Sequence, residues 1–411
     1  MARSLPHLFL LTIGCAGGQR SAPAPGPEEL IRGEALAMGV PPVAEDPGLM
    51  AFGHEASRFP IVLLGENGHG VREHTVMKVA MVRHLHERHG YDVIAFESGF
   101  HECREAQERL GSEAIGETIR RCLLTQFHHA EIVPLFEYIA ATQRTARPLR
   151  LAGIDMQVQR FSRTRSQYLR GGLAAADARL ADTVAVLDSL LIEKSFLPAD
   201  SLRGWLYPHL AATKQWYDSA AARTTGELQW TLRGVSALLE RETLRSAALA
   251  AGAPLAPRFY EIRDEYMARS VLRHAEGETK VMVWLHNDHA RYGQFEFGEM
   301  RIKATGQYLK ELAPGRSYSV GFLMGGGTVA NNSRRPMQVA PADSGSLEWH
   351  FKGTGLKAAW LSHTASHEVR AWAGQEFAYS RGNEVLRIVP AEAFDGVVYV
   401  DSVSVPSYRL P

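Results

Sequence analysis

A histidine flanked by glycines lies close behind a carboxylate in the run Gly65-Glu66-Asn67-Gly68-His69-Gly70. Two more imidazoles, His286 and His289, enclose Asn287 and Asp288, and a further carboxylate, Glu97, ends an apolar run of its own. Histidine is the natural general base near neutral pH. A neighbouring carboxylate fixes its tautomer and stabilises the imidazolium formed when it takes a proton. Glycines on either side let the backbone carry the ring close to a ligand. The chain has no G-x-S-x-G nucleophile elbow, no H-E-x-x-H zinc helix and no Walker phosphate loop. Gly65, Gly68 and Gly70 are spaced GxxGxG, which is not the dinucleotide pattern. The economical chemistry is direct: His69 deprotonates water, the water attacks an ester carbonyl, and a positive or NH-bearing group stabilises the oxyanion. A second use of the same residues stays open, since His69, His286, His289 and a carboxylate are suitable ligands for a divalent metal.

These residues need a scaffold that brings them together. Ile61-Val62-Leu63-Leu64 is a short, fully apolar run, as expected of a buried parallel strand. A helical pattern over 72–88 follows it, stopped by Gly90, and Val93 to Phe96 forms a second strand. The result is a βαβ unit with a right-handed crossover. Residues 102–145 read as helical. Further strands are expected at 149–154, 281–285, 317–323 and 397–400. The stretch 165–275, rich in Ala, Leu, Arg and Glu, reads as long helices inserted between strands. The expected fold is therefore α/β, a central mostly parallel sheet flanked by helices, with a long helical insertion. Four strands deliver Glu66, Glu97, Asp155 and His286 at their C-terminal ends, where open α/β sheets bind ligands. If those strands are neighbours, the four residues share one cleft.

At this point the residues resemble a known family. Gly65 to Glu73 is similar to the Gly-Glu-x-x-His-Gly signature of erythromycin esterase proteins, with Lys78 in the place of a later Lys or Arg. Val93 to Glu97, Gly153-Ile154-Asp155-Met156-Gln157, Arg263 to Ala268, Trp284 to His289 and Phe394-Asp395-Gly396 resemble its later blocks, in family order. The resemblance implies water-mediated cleavage of a macrolactone ester, with no cofactor and no required metal, and with His69 as base. It assigns Glu66 and Glu97 to orienting His69 or the water. Lys78 and His286 become candidates for polarising the carbonyl or steadying a carboxylate. His289, Asn287 and Asp155 are expected at the substrate. The chain has Asn67-Gly68 where the family usually has Ala-Thr, which puts substrate choice, macrolide antibiotics included, apart from the reaction class. His128 and His129 lie in a region where a substrate contact is also open. His84, His86 and His89, near a helix end, suit the helix dipole.

Lys and Arg together equal Asp and Glu, 45 of each. No global field therefore draws the chain to nucleic acid, and the expected partner is a small-molecule ester. Residues 1–15 read as a signal peptide, with Arg3 before the apolar run 8–13 and Gly14-Cys15 after it; 16–30 read as a flexible tether, and 31–411 as the catalytic domain. Cys15 resembles a lipoprotein acceptor, so the expected location is across the inner membrane, periplasmic or at the cell surface, with membrane contact only through a lipid on Cys15. Cys103 and Cys122 are the other cysteines, enough for one disulfide. A bland rival from another class is a surface lipoprotein that binds heme or another ligand on a similar fold.

Overall fold

The computed structural model describes residues 26–195, 207–382 and 384–411. The expected signal segment, Cys15 and most of the tether lie outside these residues. A central sheet of eight strands organises the rest: β1 (Leu36–Ala37), β2 (Ile61–Leu64), β3 (Val93–Gly99), β4 (Arg150–Asp155), β5 (Val281–Trp284), β6 (Ser317–Met324), β7 (Ala358–Ser362) and β8 (Gly396–Val400). Their order is β1-β7-β8-β6-β2-β5-β3-β4. From β8 to β4 every neighbour is parallel, and β7 alone is reversed. The sheet is mostly parallel, as the apolar runs implied.

Alternation decides which side chain meets which layer. Val62, Leu64, Ile94, Phe96, Met282 and Trp284 join one core. Ile61, Leu63, Val93, Ala95, Val281 and Val283 join the core on the opposite face. All twelve are buried, and each Val, Leu, Ile, Phe or Met among them contributes roughly 1.5–3 kcal/mol. Helix α1 (Arg72–His89) is the crossover from β2 to β3 and ends at Gly90, whose φ of 74° lies in the left-handed region that favours glycine. The helices between β4 and β5 form a third core of their own, containing Leu169, Val184, Tyr217 and Leu239, which meets the sheet layer at Phe100 and Met156. Helix α2 (Gly226–Ala251) belongs to that bundle. Helix α3 (Pro257–His274) packs its Met267, Ala268 and Val271 on the sheet.

Residues 102–145 are helical as expected, in three helices, 100–108, 115–122 and 133–142, with two short 3-10 turns between the last two. His86, expected near the helix end at solvent or as a cap, is buried: its Nδ1 is 2.6 Å from the Tyr138 hydroxyl and its Nε2 3.1 Å from the Arg147 carbonyl. Cys103 and Cys122 form a disulfide joining the 100–108 and 115–122 helices. Among the described residues, no helix is long and apolar enough to cross a membrane.

Candidate active site

Four adjacent parallel strands, β2, β5, β3 and β4, end side by side, so the loops that follow them share one rim. Beyond it opens a cavity of about 810 Å³ lined by His69, Glu97, His286 and His289 from the strand ends. The loop after β2 is tightly constrained. A Cβ on Gly65 would stand 2.2 Å from Asn287 Oδ1, and one on Gly70 2.2 Å from the Ala330 carbonyl. Only glycine lets the loop pass so close to its neighbours.

Within that loop His69 Nδ1 lies 2.6 Å from Glu66 Oε1. The other oxygen of Glu66 accepts from Lys78 Nζ at 2.6 Å and from the Trp284 indole N–H at 2.9 Å. Burial pushes the Glu66 carboxyl upward, but the charges of Lys78 and His69 outweigh it and hold it at about 2. Glu66 is thus an ionised acceptor, so the proton of neutral His69 sits on Nδ1 and Nε2 carries the lone pair. Lys78 is fully buried, its ammonium 4.0 Å from the centre of the Trp284 ring. Burial lowers it to about 8 against the opposing pull of Glu66.

His286 faces His69 across the cavity, with ring centres 5.3 Å apart. Its Nδ1 accepts the Asp288 backbone N–H at 3.2 Å, capping the short 287–290 helix. The neutral ring therefore carries its proton on Nε2, the nitrogen left for the cavity. The Asp288 carboxylate, 3.4 Å from His286 Nδ1, is engaged by Arg381 at 3.1 Å. Two facing imidazoles thus hold opposite tautomers: one offers a lone pair, the other an N–H.

A second network stands beside them, centred on Arg263 of α3. Its guanidinium donates to Asp155 at 2.7 Å and to Glu97 at 2.6 Å, and its Nη1 lies 3.0 Å from His289 Nε2. Glu97 also accepts the His286 backbone N–H at 2.9 Å, which fixes the end of β5. Burial opposes ionisation of Glu97, but His289 and Arg263 hold its carboxyl far below the usual range. His289 Nδ1 sits 2.7 Å from Asp264 Oδ1, and Thr305 steadies that carboxylate through its N–H and hydroxyl. Burial presses against a charge on His289, yet Asp264 and Glu97 raise it to about 9.

The structure thus places the expected residues in two layers. His69, Glu97, His286 and His289 line the cavity, while Glu66, Lys78, Asp155 and Asn287 stand behind its wall. Asn287 donates to the Phe322 carbonyl at 2.8 Å and accepts the Phe322 N–H at 3.1 Å, which locks the loop onto β6 and leaves it no group for a ligand. Asp155 and Lys78 act on Arg263 and Glu66, not on the cavity. Glu97 has no bond to His69; it works through Arg263 and the β5 loop. His128 and His129 do not line the cavity either: His128 Nε2 binds the Leu123 carbonyl at 2.9 Å, and His129 is buried beside Glu131. From that segment Leu124 and Gln126 reach the wall. Sequence reasoning passed over Arg241 and Arg381 and left Arg263 and Asp264 outside the candidate site, though all four line it. An Arg-Asp pair one helix ahead of the histidine block was the available signal for two of them. Among the described residues no three His, Cys, Asp or Glu side chains gather as a metal-ligand set; the space beside His289 Nε2 is taken by Arg263.

Comparison with known proteins agrees with this fold. The chain is 24% identical to the putative hydrolase YbfO of Bacillus subtilis over 388 residues, 84% of each chain. It is 24% identical to erythromycin esterase type I of Escherichia coli over 283 residues, 61% of this chain and 67% of the relative. The solved structure of a mutant of the erythromycin esterase EreC in its open conformation superposes with a TM-score of 0.67 at 20% identity, covering 87% of this chain and 94% of the other. That likeness speaks for the fold. Residues 86–403 match the sequence profile of the erythromycin esterase family, which takes in β3 through β8 and the histidine block, and on that match the chain belongs to the erythromycin esterase family.

Proposed function

We propose that the protein hydrolyses a carboxylic ester by water attack, with His69 as general base. The observation that carries this reading is the Lys78-Glu66-His69 relay, with two contacts of 2.6 Å in series. It fixes the lone pair of His69 on Nε2 and places an ionised carboxylate behind the ring to stabilise the imidazolium. Water on Nε2 loses a proton to His69 as its oxygen adds to the ester carbonyl. The oxyanion then develops toward the Nε2–H of His286 and the positive side of His289 and Arg263. Collapse of the tetrahedral adduct expels the alkoxide, which recovers the proton from His69, so water and ester yield acid and alcohol. Preorganised donors of this kind supply several kcal/mol to such a step.

The substrate class is an ester small enough for a chamber of about 810 Å³; a macrolactone is the member the family suggests. The disulfide fits an oxidising compartment, which supports export of the protein; anchoring through Cys15 rests on its lipoprotein-like sequence. The test is hydrolysis of a panel of macrolides and simple esters by the wild type and by His69→Ala. A loss of about 100- to 10,000-fold in a folded variant is expected. Equal rates in the two proteins would remove His69 from the mechanism.

A further inference from the structure

The chamber is lined by three arginines, and two of them are fully committed. Arg263 is spent on Asp155 and Glu97. Arg381 is spent on Asp288, Glu384 and the Glu296 carbonyl. Arg241, on α2, differs. Its guanidinium donates to no described residue, and its Nε is shut away from solvent without a partner. Its Cζ lies over Phe259, 4.3 Å from the ring centre, and Arg245 stands over the same ring at 5.0 Å. The neighbouring carboxylate, Glu242, turns to Arg245 at 3.5 Å. A guanidinium stacked in a cavity wall, with no hydrogen-bond partner among the described residues, keeps a planar fork of N–H groups for a ligand.

We propose that Arg241 is an anion subsite, and that the ester taken by this chamber carries a second, negatively charged oxyacid group, a carboxylate or a phosphate, away from the scissile bond. This deepens the ester reading and rests on it for the word substrate, but not for the subsite itself. A carboxylate or phosphate matches the guanidinium fork with two parallel hydrogen bonds. A neutral ester makes no such charge-assisted pair and leaves the fork to water. Arg241 comes from the inserted bundle and His69 from the sheet, so the charged group would bind at the bundle side while the ester carbonyl rests at the strand ends.

The experiment compares the 4-nitrophenyl ester of glutaric acid with its far carboxyl free or methylated, using the full chain, Arg241→Gln and Arg241→Lys. Alongside, glutarate and phenyl phosphate are titrated calorimetrically into each protein. The wild type is expected to favour the free acid in kcat/KM by roughly 10- to 100-fold, the size of one charge-assisted bidentate pair. Arg241→Gln should bring the ratio close to one, and Arg241→Lys, which keeps the charge without the fork, should retain part of it. Whichever anion binds more tightly, provided the binding depends on Arg241, names the source of the charged group. If no ester is turned over but glutarate or phenyl phosphate binds in an Arg241-dependent way, the subsite stands and the ester reading falls. A ratio near one in the wild type, a ratio unchanged in Arg241→Gln, or no anion binding in any protein would overturn the proposal.

Discussion

Replacing Glu66 by Gln changes one atom and should undo the base. The carboxylate accepts from His69, Lys78 and Trp284 at 2.6, 2.6 and 2.9 Å. An amide has one oxygen, and Lys78 with Trp284 presents two donors to it. The amide NH2 is then turned to His69 Nδ1, which must accept, and the ring proton moves to Nε2. In that tautomer the nitrogen facing water has no lone pair, and the imidazolium has lost its counter-charge. Loss of a base by wrong tautomer lowers kcat by up to about 10,000-fold, and general-base contributions start near 100-fold. A fall of about 1,000-fold is expected, some 4 kcal/mol at 1.36 kcal/mol per decade. KM should hardly move, because Glu66 lies behind the wall. Lys78, already lowered to about 8 by burial, would lose its counter-ion and shed its proton, so the fold should survive. The assay is steady-state hydrolysis of the best ester found for the wild type, with circular dichroism to confirm folding. A folded variant within threefold of wild-type kcat would refute the orienting role of Glu66.

Other consequences follow from the same geometry. The folded His289 holds its proton up to about 9 while the unfolded chain releases it near 6.5. Stability from this group is therefore full below pH 6.5 and lost as pH rises toward 9, by at most about 3 kcal/mol; Tm measured across that window should slope down, and Asp264→Asn should flatten the slope. Glu66 runs the other way: its folded value of about 2 makes its contribution complete above about pH 4.5 and lost on acidification toward 2, so acid unfolding followed by fluorescence should be less steep in Glu66→Gln. Asn287→Ala leaves both Phe322 backbone groups unpaired and should cost about 2–3 kcal/mol in urea unfolding; unchanged stability would contradict its locking role. Cys103→Ser with Cys122→Ser opens a loop with a sequence separation of 19, and should lower stability by about 3 kcal/mol, a loss that reductant reproduces in the wild type and not in the variant.

Much of this architecture could be read from the chain because strand ends are written locally. Ile61 to Leu64 and Val281 to Trp284 are unbroken apolar runs, and a polar residue directly after each must stand at the sheet rim. The convergence of Glu66, His286 and Glu97 then depended only on β2, β5 and β3 being neighbours, as they are. The reversed strand β7, Ala358–Ser362, escaped notice since its two alanines and serine dilute the apolar signal. What sequence could not convey was depth. Asn287 sits between two cavity-lining neighbours in the chain, yet the turn after β5 sends its side chain back into the sheet. The pairing of Arg263 with Asp155 joins residues 108 positions apart, and no local periodicity reports a contact of that span. Arg241 carries no local mark in the chain, since its contact with Phe259 joins α2 to α3.

The inserted bundle has a core of its own and meets the sheet layer at a narrow seam around Phe100 and Met156. The base, its relay and the facing histidine all belong to the sheet side of that seam. Among the described residues the bundle gives the chamber wall only Arg241; every other lining residue comes from outside 165–251. A bundle transplanted from a relative in place of 165–251 would therefore exchange that one cation above an unaltered hearth. Such a chimera should keep the same bond-breaking step and most of the chamber wall while changing how the chamber receives a charged group.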